Sequence, residues 1–395
     1  MLIRISAIML FMNEYTYINT PHGLRILIER MVQSLRIAID TEADSLYHYY
    51  EKVCLIQITA GGETYILDPL AGLDLADFFK ILTEKPIILH SADYDLRLLR
   101  ASYNFFPAAE VFDTMLAARI LGQPRLGLSA LVERYFGITL SKHGQKFNWS
   151  LRPLPEDKLI YAGNDTRYLE PLMDFLSKEL SQLDRMGWHK ESCAALVATT
   201  RVDRPPKEPN SIWRIKGLKE LNRRQLAFLR SIWYWREDEA KNSNLPPFKV
   251  MGNSPIIALA LWASSHPGIA LSRGPKLPRN CKGDRLHALN IKINEAEDLS
   301  ESDWPQIKVK RKKTDQCYTP FSEEENALLL RLREYSAGIA ANLGVPPHVL
   351  VSRASLESIL RARAVTAEDI STHGKITRYQ AELLAPIIKN ILTGE

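Results

Sequence analysis

The sequence predicts an α/β domain followed by two small all-helical domains. In the first half of the 395 residues, short apolar runs alternate with stretches of helical periodicity, which is typical of a layered α/β domain. Residues 204–209 contain three prolines, which cannot continue a helix and therefore predict a linker. Beyond this linker the strand patterns almost disappear, so we expect the remaining chain to be helical.

Four segments of the first half have the composition of strands, and the first of them stops at Asp40. The Gly61-Gly62 pair between the second and third segments suits a hairpin turn. The predicted strands are residues 35–39, 53–59, 64–67 and 87–89. The predicted helices are residues 93–101, 115–121 and 129–136, and a long stretch from 156 to about 183 that is kinked at Pro171.

The pattern divides the chain into six parts. Residues 1–14 are an N-terminal extension, which an upstream start codon would explain, with Met12 as the alternative start. The other parts are a domain at 15–200, a Pro-rich linker at 201–212, a helical domain at 213–299, a basic linker at 300–320 and a helical domain at 321–395. In the helical domains, residues 222–241, 254–262, 322–343, 355–363 and 378–392 have helix periodicity.

The composition is that of a soluble protein, because 46% of the residues are hydrophobic and 25% are charged. The four cysteines form no C-x-x-C pair, which argues against a zinc-thiolate site or a disulfide framework. No apolar run reaches the roughly 18 to 20 residues that span a bilayer. We therefore expect a cytoplasmic monomer that does not bind membranes.

Charge is distributed unevenly between the two halves. Residues 1–200 hold 20 Lys and Arg against 24 Asp and Glu, whereas residues 201–395 hold 31 against 22. The net charges are thus −4 and +9. An acidic half that could collect cations is joined to a basic half that could attract a polyphosphate.

Acidic residues stand at the ends of predicted elements. Asp40 and Glu42 follow the first strand, and residues two apart in an extended segment project to the same side. Asp95 lies near the start of a helix, and Asp165 lies on the long helix one turn after Tyr161. Clustered carboxylates are the ligands that Mg²⁺ and Mn²⁺ prefer. Taken singly, an Asp at a helix start is more often a cap, and a Tyr beside a solvated Asp is more often packing.

Six motifs of the first half stand in a fixed order along the chain: Ile37-Ala38-Ile39-Asp40-Thr41-Glu42, His90-Ser91-Ala92-Asp93-Tyr94-Asp95-Leu96, Phe112-Asp113-Thr114, Leu126-Gly127-Leu128-Ser129, Trp149-Ser150-Leu151-Arg152-Pro153 and Tyr161-Ala162-Gly163-Asn164-Asp165. They resemble ribonuclease D, of the DEDD exonuclease superfamily in its Tyr subclass. The resemblance covers about residues 15 to 185 and resumes at Trp213-Arg214-Ile215-Lys216-Gly217 and Trp235-Arg236-Glu237, which resemble the helicase-and-RNase-D C-terminal (HRDC) module. The final segment resembles a second, more divergent copy.

The resemblance implies a ribonuclease H-like exonuclease domain, with a mixed sheet flanked by helices, followed by two small all-α HRDC-like domains. It implies two divalent metal ions, Mg²⁺ or Mn²⁺. Asp40, Glu42 and Asp165 would bind the first ion and Asp40 would bridge to the second. Asp95 would support the second ion, with Asp93 as the rival, and Tyr161 and Glu42 would be catalytic.

The activity implied is that of a 3′→5′ exoribonuclease that hydrolyses phosphodiester bonds and releases nucleoside 5′-monophosphates. Its partner would be RNA with a free 3′ end, structured RNA such as tRNA precursors. Two alternatives stay open: a 3′→5′ DNA exonuclease, and a non-catalytic RNA-binding scaffold. Asn148 departs from the Asp that is usual in the family, and His90 could be either a base or a hydrogen-bonded core residue.

Overall fold

The computed structural model describes residues 15–141, 144, 146–203, 208–306 and 320–393. Within these, residues 15–43, 53–203 and 320–393 form one compact unit, and residues 44–52 and 208–306 form another. The predicted N-terminal extension and the basic run Lys308–Lys313 lie outside the described residues. No described helix is both long and apolar enough to cross a membrane. The six-part division of the chain stays a prediction.

The first unit contains a six-stranded mixed sheet. Its order is β1-β4-β3-β2-β5-β6; β2 pairs antiparallel with β3 and parallel with β5. The strands are β1 (Thr16–Ile18), β2 (Ile37–Ala43), β3 (Val53–Ala60), β4 (Glu63–Leu67), β5 (Ile87–Leu89) and β6 (Val111–Asp113). The predicted mixed sheet of an exonuclease domain is confirmed. The sequence missed β1 and β6, because each has three residues that are not all apolar, unlike the Ile-Ile-Leu run of the equally short β5.

Helices cover both faces of this sheet. Alternate residues of β2 face opposite layers: Ile37 and Ile39 pack into one buried apolar cluster and Ala38 into another. The helices of this part are α1 (Pro21–Gln33), α2 (Ala76–Glu84), α3 (Asp93–Tyr103), α4 (Thr114–Ile120), α5 (Leu128–Phe136), α6 (Glu156–Arg167), α7 (Leu169–Gln182) and α8 (Met186–Thr200).

Two predicted elements differ from the structure in a way that matters for the site. Strand β2 does not stop at Asp40 but continues through Glu42 to Ala43, paired with β3 along this length. The long predicted helix is two helices, α6 and α7, which meet at Tyr168. Pro171 was predicted to kink one helix, but it lies in the first turn of α7, where its missing N–H is tolerated.

The second unit is built of helices around its own apolar core. Trp213, Phe228 and Trp235 are among its largest fully buried side chains. Its helices are α9 (Pro209–Ile212), α10 (Arg223–Asn242), α11 (Pro247–Val250), α12 (Asn253–Ser265) and α13 (Asp284–Glu297). Phe228, Trp233 and Trp235 of α10 therefore pack in the core, as the sequence predicted for the two tryptophans.

Residues 320–393 form a second helical part, which belongs to the first unit. Its helices are α14 (Glu323–Asn342), α15 (Pro347–Leu350), α16 (Arg353–Ala362), α17 (Ala367–Gly374) and α18 (Arg378–Thr393). The helices enclose a separate cluster of buried aliphatic side chains, Leu332 and Ile359 among them.

The two helical parts repeat one pattern at an offset of 100 residues. Helices α10 and α14 are each 20 residues long, and each begins with a capping box, Asn222 with Gln225 and Ser322 with Glu325. Both are followed by a Pro-Pro pair and a four-residue helix. The fold thus contains two copies of a helical motif.

The second helical part, residues 320–393, docks on the sheet domain through a buried arginine. Arg185 donates one hydrogen bond to the Ile120 carbonyl oxygen (2.8 Å) and another to the Leu343 carbonyl oxygen (2.7 Å). Trp188 and Tyr379 stack with ring centroids 4.9 Å apart. These contacts join α8 and the end of α4 to the helices of residues 320–393.

Candidate active site

Two of the acids, Asp40 and Glu42, lie in the second half of β2, and we call them the acidic pair. Asp40 and Glu42 are half-buried, while Thr41 between them is 6% exposed. This alternation follows from the pleat, which turns successive side chains to opposite faces. The predicted placement of both carboxylates on one side of the strand agrees with this structure.

Asp95 is brought to the pair by the turn between β5 and α3. It is 5% exposed, and its Oδ1 accepts a 2.5 Å hydrogen bond from the Thr41 hydroxyl. Its rival Asp93 instead accepts a hydrogen bond from Arg97 at 3.0 Å, one turn further along the same helix. Of the two candidates, Asp95 is therefore the one directed toward β2.

Asp165 and Tyr161 are carried by α6, which packs across β2, β3 and β4. The helix is fixed to the sheet by a buried polar contact in which the Thr59 hydroxyl donates to the Thr166 hydroxyl oxygen at 2.9 Å. Tyr161 and Asp165 are four residues apart, so they share a helix face. Both line the same cleft as Asp40 and Glu42.

This cleft has a volume of about 490 Å³ and is large enough for a nucleotide-sized group. Both the acids and the start of α5 line it. Asp95 is buried and does not line the cleft. The residues that line it are Asp40, Thr41, Glu42, His90, Gly127, Leu128, Ser129, Ala130, Leu140, Ser141, Tyr161 and Asp165.

The carboxyl groups have raised pKa values because they are buried and their negative charges repel one another. Burial, followed by the charges of Asp165 and Asp95, raises the pKa of Glu42 to about 9. Burial and the Asp95 charge raise the pKa of Asp165 to about 7, and burial raises the pKa of Asp95 to about 6. Burial and the three other acids hold the pKa of Asp40 well above its usual range. Such a cluster favours either protons or cations.

The four acids do not form a closed coordination shell by themselves. Within the residues that the structure describes, no group of three or more His, Cys, Asp and Glu side chains meets the geometry of a bound ion. The donor set nevertheless suits a hard divalent cation, because it consists of carboxylate oxygens and its raised pKa values report uncompensated negative charge.

The Tyr161 ring is fixed from two sides. It stacks on Trp149, which is 1% exposed, with ring centroids 6.1 Å apart. On another side the Gly144 backbone approaches so closely that a Cβ there would lie 2.2 Å from the ring. Burial and the Asp165 and Glu42 charges raise the pKa of Tyr161, so the phenol is neutral near pH 7.

The turn that carries Trp149 is anchored to the sheet domain by Arg152. Its guanidinium donates two 2.6 Å hydrogen bonds to the Asp68 carboxylate and a third, of 2.8 Å, to the Trp149 carbonyl oxygen. At the family's usual Asp position, the Asn148 Oδ1 accepts from the Ser150 hydroxyl at 2.7 Å. The amide thus retains an acceptor oxygen that caps this turn.

Asp113 organises the turn on the other side of the site. Its carboxylate is 1% exposed and accepts hydrogen bonds from four backbone N–H groups, those of Ser91, Ala92, Met115 and Leu116. It thereby fixes the segment that leads into α3 and Asp95. Beside it, burial lowers the pKa of His90 to about 4, so this imidazole is neutral near pH 7.

The sequence did not identify several residues that support the site. Thr41, Trp149, Gly144 and Asp113 act on the predicted site residues through contacts between segments distant in the chain. The Phe-Asp-Thr motif carried a signal for Asp113 as part of the resemblance, but its role as a backbone cap needed the fold.

Comparisons with known proteins point to one class. A family model described as 3′-5′ exonuclease matches residues 15–181. The ribonuclease D of Gluconacetobacter diazotrophicus is 31% identical over 62% of this chain and 63% of its own length, so the match spans just under two thirds of that relative. The ribonuclease D of Acidiphilium cryptum is 30% identical over 66% of this chain and 67% of its own length.

Solved structures share the fold over most of the chain. A protein from Bifidobacterium adolescentis is 25% identical and superposes with a TM-score of 0.79, covering 96% of this chain and 97% of its own. Escherichia coli RNase D is 22% identical with a TM-score of 0.65, covering 96% of this chain and 99% of its own.

The mixed sheet, the acidic cleft at its edge and the matched family model define a 3′→5′ exonuclease of the DEDD superfamily. Within that class the chain belongs to the ribonuclease D family, and it is by family a hydrolase, a 3′→5′ exoribonuclease. The resemblance to ribonuclease D that the motifs predicted is confirmed.

Proposed function

We propose that the chain removes nucleotides one at a time from RNA 3′ ends and releases nucleoside 5′-monophosphates. The observation that carries the proposal is the cleft in which Asp40, Glu42 and Asp165 stand beside Tyr161, with the pKa values of the acids raised by burial and mutual repulsion. Among the described residues that line this cleft, the three acids meet no Lys or Arg, so a bound cation can compensate their charge.

The proposal includes two divalent ions, Mg²⁺ or Mn²⁺. Asp40, Glu42 and Asp165 would hold the first, and Asp40 would bridge to the second, which Asp95 would support. Ions at such positions lower the pKa of water and neutralise charge on the phosphate. Cation binding would also relieve the repulsion that raises the pKa of these carboxyl groups, which is why this donor set supports the proposal.

The side chains of the cleft have distinct proposed roles. Glu42 and the neutral Tyr161 hydroxyl would orient the attacking water, with Tyr161 as the group that accepts and donates hydrogen bonds rather than a tyrosinate base. The ring stack on Trp149 supports this role, because it restricts the position of the hydroxyl. Thr41 would orient Asp95 through its 2.5 Å hydrogen bond.

The proposed substrate is structured RNA, including tRNA precursors. The E. coli relative is described as an exoribonuclease involved in structured RNA processing, and the family suggests RNA maturation. We also propose that the two helical parts are HRDC-like modules and that the protein acts as a cytoplasmic monomer. Their repeat at a 100-residue offset supports a common origin for the two modules.

The first helical module is the better candidate for holding RNA. Residues 213–299 contain 15 Lys and Arg against 8 Asp and Glu, whereas residues 321–395 contain 8 against 9. Its loop between α12 and α13 exposes four cations, Arg273, Lys276, Arg279 and Lys282, and residues 270–283 include no acidic residue. A cluster of this kind attracts a phosphate backbone through counterion release.

The test is digestion of matched RNA and DNA oligonucleotides, labelled at either end, with Mg²⁺, Mn²⁺ or EDTA. We expect metal-dependent shortening of RNA from its 3′ end and nucleoside 5′-monophosphates as products. Preferential digestion of DNA would favour the alternative of a DNA exonuclease. Binding of RNA without any cleavage in either metal would favour a non-catalytic scaffold.

A further inference from the structure

The His90 imidazole is held in one tautomer by its hydrogen bonds. The Thr114 hydroxyl donates its single proton to the Leu89 carbonyl oxygen at 3.1 Å. Toward the His90 Nδ1, 2.8 Å away, the same hydroxyl can therefore only accept. Nδ1 carries the ring proton and Nε2 carries a lone pair, an assignment that follows from the hydrogen-bond network.

That lone pair is open to the cleft. His90 lines the same cavity as Asp40, Glu42 and Tyr161. Among the described residues no group is hydrogen-bonded to Nε2, and this atom is accessible to solvent. The lowered pKa of the imidazole is consistent with a neutral acceptor at this position.

The acceptor stands next to the acidic pair because of the strand register. Strands β2 and β5 are parallel neighbours, with Ile37 opposite Ile87 and Ala38 opposite Ile88. Two residues beyond the Ala38–Ile88 pair, the chain reaches Asp40 on β2 and His90 just past the end of β5. The two side chains therefore lie at the same end of these parallel strands. A substrate group near Asp40 is therefore within reach of His90.

A neutral nitrogen acceptor selects its partner by chemistry. Phosphodiester oxygens carry no proton and cannot donate to it. The proton-bearing groups of a 3′-terminal nucleotide closest to the scissile phosphate are the ribose hydroxyls, and the 2′-hydroxyl distinguishes RNA from DNA. We propose that His90 Nε2 accepts a hydrogen bond from a hydroxyl of the 3′-terminal ribose, which makes His90 a specificity-determining residue. This inference rests on the proposed exoribonuclease function.

The experiment uses the full chain and three versions of one short RNA, ending in a ribonucleotide, a 2′-deoxynucleotide or a 3′-deoxynucleotide. Single-turnover rates are measured with Mg²⁺ for the wild type, His90→Leu and Thr114→Val. We expect the wild type to cleave one of the deoxy-ended RNAs about three- to tenfold more slowly, the cost of one neutral hydrogen bond. The slower substrate identifies which hydroxyl is bound.

His90→Leu should lower the rate on the ribonucleotide-ended RNA to that of the slower substrate, so that the difference disappears. Thr114→Val, whose side chain is fully buried, should weaken the same difference because the tautomer is no longer fixed. A loss of folding would not produce this pattern, since it lowers all three rates together.

Two outcomes would overturn the inference. One is a wild type that cleaves all three RNAs equally, which leaves the exoribonuclease function intact and removes only the role of His90. The other is a His90→Leu variant that slows all three substrates by the same factor. Absence of RNA cleavage by the wild type would overturn the proposed function itself, and the inference with it.

Discussion

The Thr41 hydroxyl donates a 2.5 Å hydrogen bond to the Asp95 carboxylate and so joins the second half of β2 to the first turn of α3. The two residues are 54 positions apart in the chain. Because Thr41 lies between Asp40 and Glu42, this one contact fixes the buried acid relative to both members of the acidic pair. The site is therefore built by contacts between segments, and the following predictions test its parts.

We expect Asp40→Asn and Asp165→Asn each to abolish RNA cleavage, because each removes a carboxylate from the proposed metal site. Circular dichroism should show an intact fold, since Asn has nearly the same volume. The matched control is Asp93→Asn, which lies on α3 and pairs with Arg97. Full activity of either variant, or of the wild type in EDTA, would rule out the metal site.

We expect Tyr161→Phe to lower turnover by about 10² to 10⁴-fold, because the hydroxyl that orients the attacking water is lost. Binding of RNA should change little, because the ring and its stack on Trp149 remain. Measuring single-turnover rates and Kd separates the two effects. An unchanged single-turnover rate would show that Tyr161 only packs against Trp149.

The metal-free protein should lose stability as the pH rises. Glu42 and Asp165 have folded pKa values of about 9 and about 7, above their ordinary values of 4.5 and 3.8. The folded state therefore binds more protons than the unfolded state between about pH 4 and 9, and stability falls as pH rises through this window. We expect Tm in EDTA to decrease from pH 5 to pH 9, and Mg²⁺ to raise it most at the higher pH.

Asp165→Asn should weaken the dependence of Tm on pH in EDTA, because the amide does not titrate in this range. Asp184→Asn is the control, since Asp184 is exposed and lies outside the cleft. A metal-free Tm that rises steadily from pH 5 to pH 9 would contradict the electrostatic account of the site.

Arg185→Met should destabilise the protein. Arg185 is 7% exposed and donates to the Ile120 and Leu343 carbonyl oxygens, which would both lose their partner. Each unsatisfied acceptor costs about 1 to 3 kcal/mol, so we expect a clear drop in the free energy of unfolding in urea. Arg333→Met, on the exposed side of α14, should change it little. Equal stability of the two variants would show that the docked arginine contributes nothing.

Charge reversal in the first helical module should weaken RNA binding. Changing Lys276, Arg279 and Lys282 to Glu removes exposed cations from one loop. Each phosphate group that the variant no longer neutralises should reduce the slope of log K against log salt by about 0.7 for single-stranded RNA. Arg331→Glu and Arg333→Glu, in the second module, are the control. If both sets of variants gave the same slope as the wild type, neither module would hold the phosphate backbone.

The sequence by itself determined the class of fold and the identity of the candidate acids. Short apolar runs predicted the central strands, and residues 87–89 match β5. Asp40 and Glu42 could be assigned to one side of a strand because the pleat has a fixed period. These features depend only on neighbouring residues in the chain, so they can be predicted from the local sequence pattern.

Tertiary structure decided what brings the acids together and what surrounds them. Strands β1 and β6 each include a polar residue and lack a continuous apolar run, and they form because a neighbouring strand supplies hydrogen bonds. The resemblance already favoured Asp95 over Asp93, but the hydrogen bond from Thr41 to Asp95 and the tautomer of His90, which Thr114 sets, exist only in the folded chain. The raised pKa values arise from burial and from charges on separate elements, and neither exists until the chain has folded.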